Sequence, residues 1–202
     1  RVDQQNGVKI AIADMAKELK LKPLIVRFDH WFYRPLVQDN NLRTFKLLGV
    51  DVVNFTPNWH VVRELMLESL KRRGDFCWHC HTGIYAHTMQ MALRYETPLL
   101  FWGESLAEYA SWYSYEEKEE VDEKRFNRAM NLGITADDMY EFLGGRVPKR
   151  DLYPYAYPPR KKLQALGVRS VCLGNYIEWD IKKHVEIIDR ELVVVIVTVG
   201  HR

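Results

Sequence analysis

The chain has 202 residues, 47% of them hydrophobic and 28% charged, which suits a single domain with a sizeable core. Its 29 basic and 27 acidic residues leave a formal net charge of +2, too little to supply a broad field for gripping nucleic acid or an anionic membrane. The first residues are polar and no uninterrupted apolar run reaches about 18 residues, so neither a signal peptide nor a spanning helix is expected, and the chain reads as cytoplasmic.

In chain order, Val8, Ile12, Met15, Ala16 and Leu19 recur at helical spacing, and Pro23 stops that helix before the apolar run 24–28, a strand. Leu42, Phe45 and Leu48 mark a second helix closed by Gly49, and the valine-rich run 50–55 suits a buried parallel strand. A third helix follows, with Thr56 as its cap and Pro57 at its first position; Trp59, Val62, Met66 and Leu70 form its apolar stripe and Gly74 ends it. A helix near 84–95 leads through Pro98 into the strand 99–102. Residues 109–115 are aromatic, and the charge run 116–125 is expected to be a solvated helix face. Thr135 and Asp138 have capping-box spacing for a short helix ended by Gly144 and Gly145. Residues 152–159 carry three prolines and are expected to be a rigid connector or a binding loop. A helix to Leu166, a strand 168–173 and a helix 180–192 complete the pattern.

Helices alternating with short apolar strands imply parallel pairing, hence an α/β fold with a doubly wound, mostly parallel sheet and flanking helices. Ligands bind such sheets beyond the carboxyl ends of the strands. Asp29, His30 and Trp31, then Asn54 to Thr56, then Gly103 and Glu104 are therefore expected to share one edge. Asp29 and Glu104 suit a metal ion bridging nucleotide phosphates, or a ribose, although a helix cap or a surface charge accounts for them as well. Trp31, Tyr33, Trp59, Trp78 and Trp102 near that edge suit stacking on a base or sugar, although such residues more often form a core.

The strongest local signal is Cys77-Trp78-His79-Cys80-His81. Two thiols three apart can ligate one metal from a tight turn, and Cys172 with His81 or His79 would complete a zinc site. Three cysteines with one open position also suit an iron-sulfur cluster, whereas Cys172 alone reads equally as a small core residue. No Walker, dinucleotide-binding or nucleophile-elbow motif occurs.

Five strings together, VRFDHWFYRP (26–35), FTPNW (55–59), GDFCWHCHTG (74–83), FWGE (101–104) and GVRSVCLG (167–174), with Trp179 and Asp180, resemble the N-acetyl sugar amidotransferase family over about 24–192. The resemblance implies a PP-loop ATP pyrophosphatase fold, similar to the adenine nucleotide alpha hydrolases, that binds ATP and magnesium. It also implies conversion of the acetamido group of a nucleotide-linked N-acetyl sugar to an acetamidino group for bacterial surface polysaccharide, with ammonia from a partner glutaminase. By position, Asp29 and His30 would border the adenosine, Gly103 and Glu104 would face the nucleotide and its magnesium, and Arg34, Trp59, Asn175 and Tyr176 would meet the sugar. The metal ligands would be Cys77, Cys80, Cys172 and His81, holding zinc or, as the similar spacing in PP-loop tRNA thiolases suggests, an iron-sulfur cluster.

The family's S-G-G-x-D-S phosphate loop should precede the first helix, where this chain has QQNGVKI (4–10). The expectation is a single truncated domain over 1–202, missing its N-terminal phosphate loop, that binds ATP weakly and turns over little. The run 192–199 is expected to be an extra strand or an aggregation-prone scar. Two rivals remain: a tRNA sulfur transferase, disfavoured by the near-neutral charge, and a non-catalytic metal-binding or docking module.

Overall fold

The computed structural model describes residues 20–102, 127, 131–172, 186 and 190. The expected first helix, the charge run 116–125, the last helix and the run 192–199 lie outside them. Strand β1 (Leu24–Phe28) pairs in parallel with β2 (Asp51–Phe55), Leu24 opposite Asp51 and Phe28 opposite Phe55. The crossover between them is helix α1 (Pro35–Leu48). Proline opens it where no amide donor is needed, and Gly49 closes it at φ 61°, a left-handed cap whose amide donates to the Lys46 carbonyl while the Val50 amide donates to that of Phe45. Helices α2 (Trp59–Arg73) and α3 (Trp78–Arg94) follow, then β3 (Leu99–Trp102).

Helix α4 (Ala136–Leu143) begins with the expected capping box between Thr135 and Asp138. The proline-rich stretch forms a short 3-10 helix (Lys149–Tyr155), pinned to α3 by Gln90 Nε2, which donates to the carbonyls of Tyr153 and Ala156 at 2.7 Å each. Helix α5 (Arg160–Leu166) then leads to β4 (Arg169–Cys172), which pairs in parallel with β3, Trp102 opposite Cys172. Among the described residues the α/β character is thus carried by two two-stranded parallel sheets. No helix among them is long and apolar enough to cross a membrane.

Helix α3 is the centre of the packing. Its first half joins Phe28, Leu65, Trp78, Met139 and Tyr155 in one buried cluster, and its second half joins Tyr85, Met89, Leu100, Trp102 and Cys172 in another. Ile84 packs against both. Gly83 exists for a close approach: a Cβ there would fall 2.3 Å from the Phe28 ring.

Three local expectations are corrected. The cap of α2 is Asn58, whose side chain accepts from the His60 amide, so Thr56 is released toward Asp29. The buried face of α2 is Val61, Val62, Leu65 and Ser69 together with Glu64 and Glu68, whereas Trp59 and Leu70 are about half exposed. Two buried carboxylates are tolerated because Arg146 reaches both, Glu64 at 2.7 Å, with Arg63 and Lys71 adding further pairs. Strand β2, expected to be buried, exposes Asp51, Val52 and Asn54.

Candidate functional site

The carboxyl ends of β1 and β2 meet as expected. The Asp29 amide donates to the Phe55 carbonyl at 2.8 Å, extending the ladder by one residue. Asp29 Oδ1 accepts from the Trp31 amide at 2.8 Å, and Oδ2 faces the Thr56 hydroxyl at 3.5 Å, which itself accepts from Asn54 Nδ2. A polar chain thus runs from Asn54 through Thr56 to Asp29 along the rim.

Trp31 adopts φ 70°, the left-handed region that a bulky L-residue enters at a cost of order 1–2 kcal/mol. Two bonds hold it there: the one to Asp29, and a 2.7 Å bond from its indole Nε1 to the Pro57 carbonyl. Its ring meets Trp59 edge-on, centroids 5.9 Å apart and planes at 63°, and both residues are 46% exposed. Trp78 and Trp102, by contrast, are core residues.

His30 is partly buried beside this loop, its ring 4.2 Å from Tyr33. Its Nδ1 accepts from the Phe32 amide, which places the proton of the neutral ring on Nε2. Burial lowers its pKa, opposed by the charge of Asp29. Arg27 lies over the Tyr33 ring at 5.3 Å. Arg34 is exposed at the start of α1, where its backbone carbonyl accepts from Val37 and Gln38.

The cysteine turn is built by the end of α2 and the start of α3. Arg73 pairs with Asp75 at 3.0 Å, Asp75 accepts from the Cys77 amide, and Ser69 accepts from the Trp78 amide. Cys77 caps α3 and Cys80 lies in its first turn, both half-buried, with His81 next in sequence. His79 is buried with Nδ1 3.1 Å from the Phe76 carbonyl; desolvation pushes its pKa down to about 4 against the pull of that carbonyl, so the ring is neutral at pH 7. Phe32 links the two halves of the site, its ring 6.2 Å from His79 and 6.5 Å from Phe76.

Cys172 is buried within the apolar cluster of Tyr85, Leu100 and Trp102. No disulfide joins the three cysteines. Among the described residues no three His, Cys, Asp or Glu side chains gather in an arrangement that would hold a metal ion, so the structure does not bring the four expected ligands together as one group. Gly103, Glu104, Asn175 and Tyr176 lie outside the described residues. The half-exposed Phe32 and Phe76 were not among the expected site residues; their place next to VRFDHW and before the first cysteine was the available signal.

The class defined by fold and site is thus a parallel α/β protein with an aromatic and polar rim at the carboxyl ends of its first two strands. Compared with known proteins, the chain matches no family model and no curated protein.

Proposed function

We propose that this chain is the α/β core of an ATP-dependent N-acetyl sugar amidotransferase of the PP-loop type, with a doubly wound parallel sheet as its full architecture. The reaction asks for a nucleotide and an amide at one rim. The amide oxygen of the sugar attacks the α-phosphorus of ATP and pyrophosphate leaves; ammonia then adds to the activated carbon and AMP departs. Stabilising the leaving pyrophosphate is the largest demand on the protein.

What supports this reading is the parallel pairing of β1 with β2, which puts Asp29, His30, Thr56 and Trp59 together at the carboxyl ends where such sheets take ligands. In the proposal Asp29 and His30 border the adenosine, Gly103 and Glu104 face the nucleotide and its magnesium, and Arg34, Trp59, Asn175 and Tyr176 receive the sugar. Ammonia comes from a glutaminase partner. Cys77 and Cys80 are the nucleus of a separate zinc or iron-sulfur proposal, and no reaction step passes through it.

The test supplies ATP, magnesium, ammonia and nucleoside diphosphate-linked N-acetylhexosamines, and follows AMP, pyrophosphate and the sugar product by mass spectrometry. Because residues 4–10 depart from the family's phosphate loop, the rate is expected to be low, and its dependence on the sugar is the readout. Sugar-dependent AMP with an acetamidino product supports the reading. AMP release indifferent to sugar, or driven by tRNA, overturns it.

A further inference from the structure

The rim carries a feature that the proposed reaction does not require but that its substrate would use. Trp31 and Trp59 form a corner, with planes at 63°, rather than a parallel slot. A flat aromatic base can cover one wall of such a corner. A thick pyranose chair, with apolar C–H faces and an acetamido methyl, can touch both. The Trp31 Nε1 proton is already given to the Pro57 carbonyl, so that indole offers a ligand its π surface and no donor. Hydroxyl recognition has its own groups alongside, in the hydrogen-bonded pair of Asn54 and Thr56.

The strain at Trp31 has the same direction. Asp29 and Pro57 together hold a bulky residue in a left-handed conformation, yet leave that residue 46% exposed, so the cost yields little burial. From these observations we infer that Trp31 and Trp59 are the two walls of a hexopyranose subsite, which selects the N-acetyl sugar of the substrate by its apolar face. The inference rests on the reading given under Proposed function, and makes Trp31 a specificity residue of that site.

The experiment compares, by isothermal titration calorimetry on the full chain, uridine and guanosine diphosphate N-acetylhexosamines with the corresponding bare nucleoside diphosphates. The wild-type protein is expected to bind at least one sugar conjugate about five- to tenfold more tightly than its bare nucleotide, the gain from covering one apolar sugar face. Trp31→Ala and Trp59→Ala are expected to erase that difference while leaving the bare nucleotide affinity unchanged. Trp31→Gly accepts the left-handed backbone without the indole, so loss of discrimination with an unchanged melting temperature isolates the ring from the fold.

Discrimination retained in the alanine variants overturns the subsite, as does its absence from the wild type with every conjugate. An equal fall in affinity for bare nucleotide and conjugate also overturns it, because the corner would then be stacking on the base. The two readings fail separately: sugar discrimination without sugar-dependent AMP removes the amidotransferase and keeps the corner, whereas sugar-dependent AMP in variants that still discriminate does the reverse.

Discussion

His87 lies on α3 with its ring 4.9 Å from that of Phe55 and 6.0 Å from that of Phe28, and among the described residues neither of its buried nitrogens has a hydrogen-bond partner. Burial lowers its pKa below the ordinary 6.5, so the unfolded chain binds the proton first. The contribution of this neutral ring to stability is therefore fully present above pH 6.5 and is lost as pH falls below it. His79, with a folded value of about 4, acts over the same window and contributes a loss of about 3 kcal/mol between pH 6.5 and 4. Urea midpoints measured from pH 8 to pH 4 are expected to fall accordingly. His87→Phe is expected to flatten part of that fall and to leave stability at pH 8 equal or higher by about 1 kcal/mol, since two desolvated nitrogens are removed. Gly83→Ala forces a methyl into the Phe28 ring and is expected to cost about 1–3 kcal/mol by thermal melting, partly recovered when Phe28→Leu is added. Little at this scale was legible in advance. Thr56 and Asn58 are both good caps, and the choice between them depends on Asp29, 27 residues from Thr56. The role of Gly83 depends on a ring from another element.

Among the elements, α2 and α4 are joined by Arg146, which spans Glu64 and Glu68 while Arg72 lies over the Phe142 ring at 4.1 Å. Arg146→Met is expected to destabilise the protein by about 1–2 kcal/mol, a value held down by the 41% exposure of the Arg146 side chain and by the remaining Arg63, Lys71 and Arg72 pairs. The difference between wild type and variant should shrink in high salt, which denaturation at two ionic strengths would read. This network explains why the sequence misplaces the face of α2. Periodicity counts apolar residues and treats Glu64 and Glu68 as solvent-facing, yet an arginine 82 and 78 residues away makes their burial tolerable. The strands and short helices were easier: 24–28, 99–102 and the Thr135 box depend on neighbours within a few residues, and these elements formed where the pattern put them.

For the molecule as a whole, variants divide by location. Substitutions at Trp31 or Trp59, half exposed at the rim, are expected to change ligand affinity with melting temperature nearly constant, whereas Leu65→Ala, fully buried, is expected to lower stability by about 2–5 kcal/mol. Parallel pairing was legible because alternating helices and strands leave few other ways to close the backbone. The distribution of the thiols was not: the spacing that suggested one cage says nothing of Cys172 lying among Tyr85, Leu100 and Trp102. Ile84 packs against both buried clusters and so couples the two halves of the core along one helix. Trimming it to alanine would let the halves melt out of step, turning a single cooperative denaturation curve into two, and a ligand seated at the Trp31 end would then protect only the half it touches.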